Sequence, residues 1–180
     1  MKNVLITGIT GMVGSHLADF LLENTGWNIH GLSRWIDDKS NIEHLSIRIN
    51  TEDRVFLHNG DLNDLASLIN VIKKSRPDYV FHLAAQSYPK TSFDSPLETL
   101  QTNIMGTCGL LEAIRISEYS PIVHVCASSE VFGRVSKEKL PISEDEKRIP
   151  RKPGQKSKSD KHSDLYTDED PRGTIHGLGF

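Results

Sequence analysis

No run of apolar residues in this chain approaches the roughly 20 that a membrane-spanning helix needs, which excludes an integral helical membrane protein. Neither sign of charge dominates: 21 Lys and Arg stand against 24 Asp and Glu, interspersed along 180 residues. That balance supplies no basic stripe for nucleic acid. Cysteine is scarce, with Cys108 and Cys126 alone, and both lie in apolar segments without metal or redox spacing. They read as buried small residues. The eight histidines are scattered singly, so no two imidazoles share the spacing of a metal site, and none is expected. Met1-Lys2-Asn3 runs straight into the first apolar segment, which leaves no signal peptide and points to the cytoplasm.

What is present begins with Gly8-Ile9-Thr10-Gly11-Met12-Val13-Gly14, placed between the apolar run Val4-Leu5-Ile6 and an amphipathic stretch. A strand turning sharply into a helix needs one residue tolerant of unusual backbone angles, one without a side chain where a pyrophosphate approaches, and one where helix meets strand. Gly8, Gly11 and Gly14 fill those places, and Thr10, Met12 and Val13 complete a candidate dinucleotide cradle. The helix N-terminus adds N–H groups and a partial positive charge for phosphate. A tight turn without a ligand is the bland alternative, and the strand-turn-helix context weighs against it.

Strands and helices then alternate, the pattern of a parallel sheet covered on both faces. Strands are expected at 3–7, 28–33, 55–58, 79–83 and 122–126. Helices are expected at 12–24, 63–75 and 96–117, with a short one near 42–47. Their buried stripes are Val13, Leu17 and Leu21; Leu65, Leu68, Ile69 and Ile72; and Leu100, Ile104, Leu111 and Ile114. Right-handed crossovers give the order 3-2-1-4-5: an α/β, doubly wound, Rossmann-like parallel sheet, incomplete on its C-terminal side, with the dinucleotide at the switch point beside strand one. One partial dinucleotide-binding domain is expected over 1–150. Residues 151–180 are dense in charge and poor in large apolar side chains, the composition of a disordered tail.

At the end of strand two, where an acidic residue would grip the adenine ribose of NAD, stands Arg34. A guanidinium there can pair with a 2′-phosphate, so NADP is favoured over NAD, although a solvated strand-end cation is the alternative and Asp37 and Asp38 lie nearby. Asp61-Leu62 after strand three would set a carboxylate beside the adenine amino group; a helix N-cap explains Asp61 almost as well.

The chain resembles the extended short-chain dehydrogenase/reductase family, in its epimerase/dehydratase, nucleotide-sugar branch. The resemblance covers residues 1–146. It rests on the glycine turn, on Asn59-Gly60-Asp61-Leu62, on His82-Leu83-Ala84-Ala85-Gln86-Ser87, on Ser92-Phe93-Asp94-Ser95-Pro96, on Asn103-Ile104-Met105-Gly106-Thr107 and on Ser128-Ser129-Glu130-Val131-Phe132-Gly133. Within the branch it is most similar to the GDP-mannose 4,6-dehydratases. The resemblance implies cofactor contacts at Leu83, Ala84, Ala85 and Gln86, a sugar contact at Ser87, and a GDP-mannose-like nucleotide sugar as partner. Asn103 becomes an organiser of the site, against the alternative of an exposed helix Asn. The reaction the resemblance implies takes hydride from sugar C4 to NADP, loses water across C5 and C6, and returns the hydride to C6. Ser128 matches the hydroxyl that holds O4, and Glu130 the carboxylate aimed at C5. Ser129 stands where related dehydratases carry Asp, and it is expected only to touch substrate. Members commonly form homo-oligomers.

The family's tyrosine and lysine, four residues apart, have no counterpart. Tyr79, Tyr88, Tyr119 and Tyr166 are followed four positions later by Leu83, Ser92, Val123 and Asp170. The resemblance fades near 146–150, where the charged tail begins, so the chain reads as a truncated or frameshifted version of a longer enzyme, inactive by itself. A 4-keto-6-deoxy nucleotide-sugar reductase or epimerase, and a non-catalytic NADP-binding module, are the competing readings.

Overall fold

A computed structural model describes residues 1–50, 54–128, 132 and 135–143. It divides into two compact units, Met1–Cys126 and Ala127–Phe180. The first holds the sheet. In the second, a 3₁₀ turn spans Lys137–Lys139. The expected tail at 151–180 lies outside the described residues.

The first unit runs β1 (Asn3–Thr7), α1 (Met12–Asn24), β2 (Asn28–Ser33), a 3₁₀ helix (Ser40–Leu45), β3 (Val55–Asn59), α2 (Leu65–Ser75), β4 (Tyr79–His82), α3 (Pro89–Asp94), α4 (Pro96–Leu100), a π-helical turn (Gln101–Met105), α5 (Gly106–Ile116) and β5 (Ile122–Val125). All strand pairs are parallel, in the order β3-β2-β1-β4-β5. Side chains alternate between the two faces of a strand, so β1 feeds two cores. Val4 and Ile6 pack with Ile29, with Ala18, Leu21 and Leu22 of α1, and with Ile42 and Leu45. Leu5 joins Val80, Leu68 and Ile72 of α2, and Leu110 and Ile114 of α5 on the other side. β1 is apolar along its length because both of its faces are covered.

Three expectations about burial need correction. In α1 the inner line is Gly14, Ser15, Ala18, Leu21 and Leu22, while Val13 is 57% exposed. Small residues at 14, 15 and 18 let the helix lie close to the sheet and turn Val13 outward. Leu65, the first residue of α2, is 40% exposed. The expected helix over 96–117 is interrupted: the Gly106 N–H donates to the Gln101 carbonyl, an i→i+5 bond. The buried residues along it are Thr99, Gly106, Leu110, Ala113 and Ile114, a line one position ahead of the expected Leu100 and Leu111, and Ile104 and Leu111 stand about 42% and 45% exposed.

Cys108 and Cys126 are exposed, against expectation. Cys108 rides on the outer face of α5, and Cys126 follows β5, the edge strand, where Ile122 and Val125 are exposed too. Among the described residues no helix is long and apolar enough to cross a membrane.

Candidate functional site

The glycine turn lies at the C-terminal edge of the sheet beside the switch point. Gly8 has φ +75°, a left-handed conformation that penalises any Cβ, and a Cβ there would sit 2.9 Å from the Ala84 nitrogen. The turn after β1 and the loop after β4 thus touch through backbone alone. At Gly14 a Cβ would collide with the Gly8 carbonyl oxygen, which presses the first turn of α1 against the strand end. Gly11 caps α1 with no side chain, and its own N–H closes the turn on Gly8 O at 3.0 Å. The first-turn N–H groups of α1, at Met12, Val13 and Gly14, therefore receive no side-chain cap. Such a helix end is complementary to phosphate. The Asn41 amide donates to the Thr10 carbonyl at 2.8 Å and so braces the turn from the 3₁₀ helix.

Residues 83–88 form the second wall. Asn103, inside the π turn, is an organiser and not an exposed helix Asn. Its Oδ1 accepts from the Gln86 N–H at 2.8 Å, and its Nδ2 donates to the Gln86 carbonyl at 3.0 Å. This two-point clamp takes over from the ladder, whose last bond to β1 is the Leu83 N–H on the Thr7 carbonyl at 3.2 Å. The Gln86 side chain is used by the protein: Oε1 accepts from Tyr88 N, and Nε2 donates to Tyr88 O and to Thr99 Oγ1. Side chain and backbone of Gln86 are thus both engaged within the protein. Ala85 and Ser87 are exposed, and Leu83 and Ala84 half-buried. Behind the wall, His82 Nδ1 is 2.8 Å from Thr7 Oγ1 and its Nε2 2.9 Å from Thr107 Oγ1. Burial alone holds its pKa below the ordinary histidine value. Sequence reasoning missed this histidine and both threonines. The signal available was polar residues closing two apolar strands, with Thr107 one turn beyond Asn103.

On the adenine side, the Arg34 guanidinium bonds Asp37 through Nε at 2.8 Å, and the Arg34 N–H reaches the same carboxylate. Arg34 stands at the end of β2, partly neutralised by its own turn. Asp61 is not the helix cap. Asp64 is, accepting from Ala66 N and Ser67 N, while Asp61 Oδ1 takes the Asn63 N–H at 2.9 Å. Leu62 is buried, with its Cβ against Gly106. Ser128 is half-buried in the second unit. Ser129 and Glu130 lie outside the described residues. Among those described, no three His, Cys, Asp or Glu side chains converge as a metal site would require.

A parallel 3-2-1-4-5 sheet with a glycine turn at its switch point defines a Rossmann-like domain. Residues 5–166 match the family model described as GDP-mannose 4,6 dehydratase, and the chain belongs to that family. It is 40% identical over 158 residues to a GDP-mannose 4,6-dehydratase of Yersinia enterocolitica, covering 85% of this chain and 42% of that protein. The chain thus spans about two fifths of the length of such relatives. Among solved structures it is similar to a UDP-glucose 4-epimerase from Brucella ovis in complex with NAD, with TM-score 0.67, 28% identity, and coverage of 84% of this chain and 42% of that one. It is also similar to RMD from Pseudomonas aeruginosa complexed with NADPH, with TM-score 0.59, 30% identity, and coverage of 83% and 44%.

Proposed function

We propose that this chain is the cofactor-binding part of a nucleotide-sugar 4,6-dehydratase acting on GDP-mannose, with NADP in the glycine cradle. The observation that carries this reading is the meeting of two walls: Gly8 against the Ala84 backbone, and Gln86 clamped by Asn103. A dinucleotide needs such an approach of bare backbone on both sides. The uncapped N-terminus of α1 fits a pyrophosphate, and Gly11, with only the Gly8 carbonyl near its missing Cβ, leaves the space above the helix open. Relatives named for NAD and NADPH complexes support a nicotinamide cofactor.

When bound, that cofactor supplies the acceptor and donor of hydride. The residues of this chain do the rest of what it can do. Met12, Val13 and Gly14 offer N–H groups to phosphate, and Thr10 borders them. Leu83, Ala84, Ala85 and Gln86 line the nicotinamide side through backbone. Asp61 faces the adenine amino group, a role open to it because Asp64 caps the helix, and the Leu62 backbone closes that edge. Ser128 holds the sugar O4 hydroxyl, Glu130 takes the C5 proton, and Ser87 and Ser129 touch the sugar. No tyrosine here has a lysine four residues on, so the C4 hydroxyl has no base, and the chain binds cofactor without turnover. Soluble, cytoplasmic residence and oligomers built with the family's remaining elements belong to the same reading.

Arg34 sets the choice of cofactor. Isothermal titration with NADP+ and NAD+ should show tighter binding of NADP+. Arg34→Ala should weaken NADP+ about tenfold and leave NAD+ unchanged, the loss of one charge-assisted contact. Equal affinities in the wild type would remove the preference for NADP.

A further inference from the structure

The hydrogen bonds behind the β4 loop admit one arrangement of protons. The Thr107 hydroxyl donates to the Asn103 carbonyl at 2.7 Å, so its single hydrogen is committed and toward His82 it can only accept. His82 Nε2 must then carry the proton and donate to Thr107 Oγ1 across 2.9 Å. In neutral imidazole Nδ1 is bare and accepts from the Thr7 hydroxyl at 2.8 Å, and that same oxygen receives the Ala84 N–H at 3.2 Å. The chain runs without a break from Ala84 through Thr7, His82 and Thr107 to Asn103, whose side chain returns to Gln86. Both ends of the 84–86 loop are therefore tied to one imidazole.

We infer that His82, fixed as its Nε2–H tautomer, is the positioning residue of the 84–86 loop, setting the distance between β1, the loop and α5. The groups that face it are Thr7 from β1, Thr107 from α5 and, paired with it in β5, Val125, and none of them is charged. A second proton on Nδ1 would point at Thr7 Oγ1, which already receives the Ala84 N–H, and would leave the Thr7 hydroxyl hydrogen without its acceptor. Charging His82 thus loosens the loop before it disturbs the sheet. For the consequence on cofactor affinity alone, the inference rests on the proposed role of residues 83–86.

The test is nuclear magnetic resonance of the full chain near neutral pH, reading the His82 ring nitrogens and the exchange of the Ala84 and Gln86 amides. The Nε2–H tautomer is expected. Thr107→Val should speed exchange at both amides about fivefold, the equivalent of one lost hydrogen bond, with the Leu5 and Val80 amides unmoved. Thr107→Ser, which keeps the hydroxyl, should restore wild-type exchange. An Nδ1–H tautomer, or unchanged exchange at Ala84 and Gln86 in Thr107→Val, overturns the assignment. If exchange responds as expected while neither the wild type nor Thr107→Ser binds NADP+, the positioning role stands and the cofactor reading falls.

Discussion

At Gly14 a single methyl group is enough to part helix from strand. A Cβ there overlaps the Gly8 carbonyl, so Gly14→Ala must shift α1 away from the strand end. Overpacking of this kind costs about 1–3 kcal/mol, and the first-turn N–H groups move with the helix. Urea unfolding should show that loss, and titration should show weaker NADP+ binding. The glycines were legible in sequence because only missing side chains allow these approaches. Asn103 was legible as an oddity in a helix, and the π turn explains how it reaches the loop. Asp61 was ambiguous because Asp61 and Asp64 both precede a helix, and sequence does not say which one turns back to cap it. His82 was not legible, since a histidine at a strand end carries no mark of two threonines distant in sequence.

His30 supplies a residue-scale pH dependence. It lies buried on β2, stacked between Phe56 and His58, with Nδ1 2.9 Å from His58 Nε2. Burial first, and the neighbouring His58 second, push its pKa down to about 4 from the ordinary 6.5. A histidine depressed in the fold stabilises fully above its unfolded pKa. As pH falls from 6.5 toward 4 the unfolded chain takes up a proton that the folded one refuses, and stability is lost. At 1.36 kcal/mol per pKa unit the loss reaches about 3 kcal/mol. His58 and His82, both lowered by burial, act in the same direction. Denaturant midpoints at stepped pH should fall through this window, and His30→Phe should flatten the fall. A midpoint independent of pH between 6.5 and 4 would contradict the depression.

Among the elements, the last helix departs furthest from expectation. The alternation of apolar residues located the expected strands and helices of the sheet domain, because that periodicity is what burial on two faces imposes. The phase of the last helix was not readable. Apolar residues stand at both 110 and 111, and the buried line Thr99, Gly106, Leu110, Ala113 and Ile114 includes a threonine and a glycine that a search for apolar side chains passes over. Leu110→Ala should therefore cost about 2–5 kcal/mol, as a fully buried leucine does, whereas Leu111→Ala should cost less than about 1 kcal/mol. Thermal unfolding of the pair checks it. Comparable losses would contradict the burial of Leu110 and the exposure of Leu111. Helix α1 teaches the same lesson with small residues: Gly14, Ser15 and Ala18, and not Val13, form its inner line.

At the scale of the whole molecule, the order β3-β2-β1-β4-β5 follows from right-handed crossovers and was legible before any coordinates. The exposure of Cys126 and of β5 was less so, since an apolar segment reads as buried whether or not a neighbour covers it. The sheet brings the glycine turn and the loop after β4 to one edge, while the chain spans 42% of its Yersinia relative and carries no tyrosine-lysine pair. Binding and chemistry are thereby separable in one experiment. The purified 180-residue chain is titrated with NADP+ and then incubated with GDP-mannose, with the 4-keto sugar product quantified. The account predicts saturable one-site binding of NADP+ and no 4-keto product. Absence of binding at millimolar NADP+, or appearance of product, would contradict it.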